Sequence, residues 1–404
     1  MEDQKKTLFK TGSYIYIEGD EDVDGVYIIE SGAVELSVSG KKISIPRKTA
    51  DAGDIIGFIS ALSSKPRLHT AIAIKDSVLV FLSKEKFYNL LQKNHDIAFK
   101  IIHYFAEELR AYDELIFSID DNYKSQSDDI EMFSLAEYYH NKGDNYFANY
   151  ILHQLISQFP ESSEINNAKK IITEIQDESI RKISEPIKED IYNVYTDGQI
   201  IFCEGEPGTE LYIIKEGKVQ ISKYKNGTDM ILSMLKEGDI FGELAIVSDK
   251  PRNATAVSRS KTVLLPINLN SLSLLFEKSP GILKRIYTAI SQRVWFSIIR
   301  LESKLYKKNV TKIYAFLENK LLEDNVSLKS DSSHSFNFGI DELLKMNDIS
   351  QEEDKNSITL LLSDQNLNFN FGQIKIKNAS EISAMSSYYK TRDNIADSQE
   401  KSDS

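Results

Sequence analysis

The sequence predicts a multidomain α+β chain: two antiparallel β-rolls of jelly-roll type, each followed by a long helix, joined by a helical insert. Three observations predict it. First, residues 8 to 90 run as short apolar segments punctuated by glycine, such as SYIYIEG, VYIIESGAVELSV and SVLVFLS, the pattern of antiparallel strands. Second, the same order of landmarks returns about 185 residues later, so one domain is present twice. Glu18-Gly19 answers to Glu204-Gly205, Tyr27-Ile28-Ile29 to Tyr212-Ile213-Ile214, Gly53-Asp54-Ile55 to Gly238-Asp239-Ile240, and Lys65-Pro66-Arg67 to Lys250-Pro251-Arg252. Third, each copy runs into a helix with an apolar seam. The first carries Ala98, Ile102, Phe105, Leu109, Tyr112 and Ile116, and the second Leu283, Ile286, Ile290, Val294, Ile298, Leu301 and Leu305. The second seam is longer than one roll needs for cover. It predicts a helix-to-helix contact, either inside one chain as a pseudo-dimer or between two chains as a homodimer.

At 404 residues, with 41% hydrophobic and 10% aromatic content, the chain has length for about two to four domains with cores of their own. The single cysteine, Cys203, closes no intrachain disulfide and nucleates no metal site, which fits a reducing compartment. The N-terminal MEDQKKTLFKTG has no apolar signal segment, and no run of about 18 apolar residues occurs anywhere. The expected location is the cytoplasm, with no membrane span. A net charge of -12 argues against a broad grip on nucleic acid. The six histidines are scattered without metal-ligand spacing, and neither a phosphate-binding P-loop nor a nucleophile elbow is present, so the chain is not expected to be an enzyme.

Between the rolls, the polar IDDNYKSQSDDI predicts a flexible link. The following stretch predicts a helix, a turn at Gly143-Asp144, a second helix ending before Pro160 and a third from about Ser163. Ala136, Tyr139, Gly143, Tyr146, Leu155 and Pro160 resemble the landmarks of a tetratricopeptide unit. A single such repeat predicts a spacer rather than a peptide groove.

Ligand chemistry concentrates in FGELAIVSDKPRNAT, from Phe241 to Thr255. An acid, Glu243, and a base, Arg252, stand on either side of a short apolar turn. A guanidinium fork with free backbone N–H groups suits a phosphate, and a carboxylate suits a sugar hydroxyl. The stretch resembles the phosphate-binding cassette of cyclic-nucleotide-binding domains. That resemblance implies ligand-binding roles for Gly242, Glu243, Leu244, Arg252, Asn253 and Ala254. Arg252 would pair the cyclic phosphate and Glu243 would accept from the ribose 2'-hydroxyl. On the long helix, Ser297 falls near the family's base-contacting position, and Ala254 favours cAMP over cGMP. In the first copy Phe58 replaces the acid, while Leu68 and His69 replace Asn253 and Ala254. The first roll is therefore expected to keep the fold and to have lost, or altered, ordinary cyclic-nucleotide binding, with Arg67 left open to another anion or to a structural role.

From about Gln199 to about Lys377 the order of elements is similar to catabolite-activator (Crp/Fnr-type) regulators: roll, long helix, hinge at Asn309-Val310-Thr311, and a winged helix-turn-helix. Asn309 is expected to cap the helix after the hinge. The place of the DNA-reading helix is taken by Gln351-Glu352-Glu353-Asp354-Lys355, whose carboxylates would repel phosphate, so DNA binding is in doubt. The expected domains are 1–118, a degenerate roll with its helix; 119–185, the spacer; 186–308, the binding roll with its long helix; 309–380, a degenerate winged helix; and 381–404, a disordered tail. The expected function is a non-enzymatic cAMP sensor related to Crp-type transcription regulators. The alternative is a cyclic-nucleotide-controlled interaction protein like kinase regulatory subunits, although no Arg-Arg-x-Ser-like inhibitor segment is evident.

Overall fold

The computed structural model describes residues 6–37, 48–118, 127–175, 185–225, 228–243, 251–268, 270–272, 274, 280–347, 349–350, 354–370 and 372–402. The chain forms two compact units. One comprises Met1–Ile116, Asn270–Val326 and Ser386–Ser404, the other Phe117–Leu269 and Ser327–Met385.

The first roll is built from β1 (Lys6–Phe9), β2 (Tyr14–Tyr16), β3 (Gly25–Ser31), β4 (Ala33–Ser37), β5 (Lys48–Asp51), β6 (Ile55–Ile56), β7 (Thr70–Ala73) and β8 (Ser77–Ser83). They make two four-stranded antiparallel sheets, ordered β1-β8-β3-β6 and β2-β7-β4-β5. Period-two alternation sends Tyr16, Ile29, Val34, Ile56, Ala71 and Leu79 into one core shared by both sheets. Helix α1 (Phe58–Ser63) follows β6. Helix α2 (Lys84–Lys93) is capped by Ser83, which accepts from the Lys86 N–H, and α3 (His95–Ser118) follows with its whole seam buried.

The insert forms α4 (Asp128–Asn141), α5 (Asn145–Gln158) and α6 (Ile165–Glu174). Gly143, at φ 78°, makes the turn, and Asp144 caps α5 by accepting from the Phe147 N–H at 3.3 Å. The second roll comprises β9 (Ile187–Glu189), β10 (Tyr192–Tyr195), β11 (Ile200–Phe202), β12 (Glu210–Glu216), β13 (Val219–Lys225), β14 (Thr228–Leu235), β15 (Ile240–Phe241), β16 (Thr255–Ser258) and β17 (Thr262–Asn268). Its sheets run β15-β12-β17-β10-β9 and β11-β16-β13-β14. Without the extra edge strand β9 this order repeats the first roll strand for strand, including the register shifts at Ile29/Ser31 and Ile214/Glu216. The insert is more than a spacer: Leu135, Ala136, Ile151 and Leu152 share a core with Ile200, Cys203 and Val257 of this roll. A lone helical repeat needs a surface to bury its face, and the roll supplies one.

Helices α7 (Pro280–Lys304) and α8 (Asn309–Glu323) follow. Chain order attaches α7 to the second roll, yet it packs with the first. Tyr287 Oη donates to Ala98 O at 2.9 Å, Trp295 Nε1 to Pro66 O at 2.9 Å and Gln292 Nε2 to Ser63 O at 3.3 Å. Its seam from Leu283 to Leu301 is buried there, and Leu305 lies past the helix end. Asn309 does not cap α8. It is the first helical residue, and Lys308 occupies the cap with no side-chain bond.

The last elements are β18 (His334–Phe336), α9 (Ile340–Met346), α10 (Lys355–Ser363), β19 (Leu367–Asn370), β20 (Gln373–Ile376) and α11 (Ala379–Ser402), with a sheet ordered β18-β20-β19. Asp354 is the N-cap of α10, accepting from Ser357 N at 3.0 Å, so one acid of the expected reading head has a structural duty; residues 351–353 lie outside the described residues. The expectation of a disordered tail is overturned by α11. Its polar composition hides a buried stripe: Ser386 and Lys390 reach Glu318, Tyr389 stacks on Tyr314 at 5.3 Å, and Asp393 accepts from Lys307 N at 2.9 Å. Among the described residues no helix is long and apolar enough to cross a membrane.

Candidate functional site

The second roll holds a buried arginine in a cradle that backbone geometry prepares. Between β11 and β12 the chain turns at Glu204-Gly205, where the Gly205 N–H donates to Arg252 O at 2.8 Å and Arg252 N–H returns to Glu206 O at 2.7 Å. These two bonds fix the backbone of Arg252 before its side chain does anything. Arg252 Nη1 donates to Gly242 O at 2.8 Å and to Glu210 O at 2.9 Å, and the guanidinium lies over the Phe202 ring, 4.1 Å from its centroid. Gly242 sits at φ 78°, and a Cβ there would stand 2.8 Å from Nη1, so this position requires glycine twice over. Gly208 is close on the other side: a Cβ would fall 2.2 Å from Nε and 2.6 Å from Nη2.

The first roll repeats this construction and then departs from it. Gly19 N–H donates to Arg67 O at 2.8 Å, and Glu18 N–H to Thr70 Oγ1 at 3.1 Å, the same distance as Glu204 N–H to Thr255 Oγ1. Arg67, however, spends Nη1 on Gly57 O at 2.9 Å and Nη2 on Gly25 O at 3.1 Å. Both ends of its fork are committed. Among the described residues Arg252 bonds through Nη1 alone, while Nε is buried without a hydrogen-bond partner in both arginines. The acid position differs as the sequence implies: Glu243 is buried in the second roll, whereas Phe58 in the first packs against Tyr104 and Phe105 at 5.0 and 5.6 Å.

Burial draws the Arg252 guanidinium below the ordinary value, and Tyr212, Glu206, Glu243 and Glu210 pull it back. Those acids are near enough to act on Arg252, so Glu243 and Arg252 belong to one site. The insert reaches this region through Tyr150, whose hydroxyl donates to Glu206 Oε2 at 3.1 Å, the oxygen that also accepts from Cys203 N at 2.9 Å. Beside it, burial pushes the Glu204 carboxyl up to about 7, with Lys223 at 3.2 Å drawing it down. The folded state therefore holds this proton to higher pH than the unfolded chain, whose ordinary value is 4.5. Stability from this group is kept below that value, falls as pH rises toward about 7, and levels above it. Glu204→Gln removes the titration. Its melting-derived stability relative to wild type is expected to shift in the variant's favour by about 1–3 kcal/mol between acid and neutral pH.

The profile of the cyclic nucleotide-binding domain matches residues 6–94 and 192–279, the two rolls. Both rolls are cyclic nucleotide-binding domains. A cAMP-dependent protein kinase regulatory subunit from Debaryomyces hansenii is 24% identical over 281 residues, 69% of this chain and 46% of that protein. One from Yarrowia lipolytica is 23% identical over 251 residues, 62% of this chain and 48% of that protein. The chain spans about half the length of the curated relatives it matches. Among solved structures, a Crp/Fnr-family transcriptional regulator from Thermus thermophilus matches with a TM-score of 0.38 and 20% identity, over 48% of this chain and 98% of that one.

Within the second cyclic nucleotide-binding domain, Gly242, Glu243 and Arg252 come together as one site. Asn253 is half-buried next to it, and the Ala254 side chain turns into the core with Ile221, Phe241 and Ala256. Leu244, with the rest of the apolar turn to Lys250, lies outside the described residues. Ser297 is half-buried on α7, in the first unit. Sequence reasoning missed Phe202, Gly208 and the turn at Glu206. The repeat held a signal for Glu206, because Asp20 accepts from Ile17 N at 2.8 Å in the equivalent turn.

Proposed function

We propose that this chain is a non-catalytic regulatory protein whose second cyclic nucleotide-binding domain takes up cAMP and whose output is the binding or release of a protein partner. The observation that carries the reading is the pairing of buried Arg252, whose Nη2 has no hydrogen-bond partner among the described residues, with the buried acid Glu243, where the first roll has Phe58 and an Arg67 bonded through both Nη1 and Nη2. On this reading Arg252 pairs the cyclic phosphate and the backbone N–H groups at Asn253 and Ala254 assist. Glu243 and the Gly242 backbone take the ribose. Ala254 supports cAMP over cGMP. The relatives named as kinase regulatory subunits support a protein output over DNA, as does the acidic 352–354 stretch. A protein kinase catalytic subunit is the partner class they suggest. Ligand changes the partner equilibrium only through its differential affinity for the two arrangements.

Calorimetric titration of the intact chain with cAMP tests this. One mole of cAMP per mole of chain is expected. No binding, or two equal sites, would overturn the assignment. A pull-down of kinase catalytic subunit with and without cAMP tests the output, and a mobility shift on DNA with no nucleotide-dependent kinase capture would overturn that part. The site's geometry makes a sharper demand at Gly208. Gly208→Ala places a methyl against the Nε and Nη2 side of the Arg252 guanidinium, which must shift from its carbonyl partners to make room. The expected result is a loss of about tenfold or more in cAMP affinity together with a lowered melting temperature.

A further inference from the structure

The turn that fixes the backbone of the cassette arginine is built twice in this chain, and the two copies differ in what covers them. In the first roll Gly19 N–H donates to Arg67 O at 2.8 Å and Arg67 N–H to Asp20 O at 2.9 Å. Gly19 and Asp20 are exposed, and a Cβ on Gly19 would meet nothing within 4 Å among the described residues. In the second roll the insert closes over the matching turn from two helices. From α4, the buried Met132 stands on the glycine, its Cε 3.3 Å from where a Cβ of Gly205 would be. From α5, the buried Tyr150 donates its hydroxyl to Glu206 Oε2 at 3.1 Å.

The second of these contacts does more than cover. Glu206 Oε2 also accepts from Cys203 N at 2.9 Å, while Glu206 O accepts from Arg252 N at 2.7 Å. One residue thus joins the insert to the arginine: its carboxylate is held by Tyr150, and its carbonyl holds Arg252. Burial raises the Glu206 carboxyl above its ordinary value, and the bonds from Cys203 N and Tyr150 oppose that, with the Arg252 charge adding to them. Without the hydroxyl, a buried carboxylate loses a donor and must move or take up a proton. Burial also pushes the Tyr150 hydroxyl up, so it keeps the proton it donates. We propose that Tyr150 is a positioning residue for the ligand of the second domain: through Tyr150 and Glu206 the insert braces Arg252 in its binding arrangement, and whatever lifts the insert from the roll lowers cAMP affinity. This rests on the cAMP reading of that domain.

Two hydrogen bonds across one interface separate the brace from mere packing. Tyr139 of α4 donates to Asp229 Oδ2 of β14 at 2.9 Å, and Asp229 takes no part in the turn. Tyr139→Phe and Tyr150→Phe each remove one hydroxyl and keep the ring. Calorimetry of the intact chain with cAMP is expected to show Tyr150→Phe weaker by about threefold to tenfold and Tyr139→Phe equal to wild type, although both lower the melting temperature. In a Glu206→Ala background, Tyr150→Phe should cost nothing further. Wild-type affinity in Tyr150→Phe, equal losses in the two phenylalanine variants, or an undiminished cost in the Glu206→Ala background overturns the proposal. Amide hydrogen exchange without ligand keeps the brace apart from the identity of the ligand. Tyr150→Phe should speed exchange at Gly205 and Arg252 and leave Gly19 and Arg67 as in wild type. A wild-type chain that binds no cAMP while its Tyr150→Phe variant gives this pattern overturns the ligand and supports the brace. Unchanged exchange at Gly205 and Arg252 overturns the brace, whatever binds.

Discussion

Arg252→Ala is expected to lower the affinity of the chain for cAMP by about 2–5 kcal/mol, or roughly 30-fold to several-thousand-fold, as read by calorimetry. The size follows from burial. The guanidinium is only 6% exposed and is held by Gly242 O, Glu210 O and the Phe202 ring, so its position is fixed before ligand arrives. A phosphate that loses it loses a charge-assisted fork in a site where water offers little replacement. Arg252→Lys should recover little, because a single ammonium cannot hold two carbonyls and also present a planar edge. The control is internal. Arg67→Ala removes the matching arginine of the first roll, whose fork braces Gly57 and Gly25, and should leave cAMP affinity unchanged while lowering the melting temperature. Unchanged affinity in Arg252→Ala, with the chain folded, would falsify the site.

The rolls were legible in the sequence because their defining signals are local. Glycines at positive φ, alternating apolar strands and short-range turn acids recur at one spacing, and the structure uses them in the same way twice. The pair Gly242 and Arg252 was legible for the same reason, with Glu243 set apart from Phe58 by simple comparison of the copies. What was not legible depends on contacts between residues far apart in the chain. The docking of α7 on the first roll rests on carbonyls at Ser63 and Pro66, more than 200 residues before the groups that reach them. The committed fork of Arg67 needs Gly25 O in place, which no spacing announces. The tail misled because Ser386, Lys390 and Asp393 are polar by composition but find buried partners in Glu318 and the α8 N-terminus, so a polar stripe became a packed one.

Tyr287→Ala is expected to destabilise the first unit by about 3–5 kcal/mol, the range for deleting a buried aromatic ring. The ring is fully buried on α7, and its hydroxyl donates to Ala98 O on α3 at 2.9 Å, so it ties the helix that follows the second roll to the helix that follows the first. Tyr287→Phe keeps the ring and should cost only about 1 kcal/mol, since the Ala98 carbonyl loses one donor while the packing stays. The pair of variants separates packing from the hydrogen bond. It also decides how the seam is used. Leu283, Ile286, Ile290, Val294 and Ile298 are already buried within one chain, so thermal melting of wild type and both variants should be independent of protein concentration. A seam shared between two chains would instead give a melting temperature that climbs with concentration, and a Tyr287→Ala defect that shrinks as the protein is concentrated. Concentration-independent melting with a large alanine effect and a small phenylalanine effect would establish that the two long helices pack on each other within one chain.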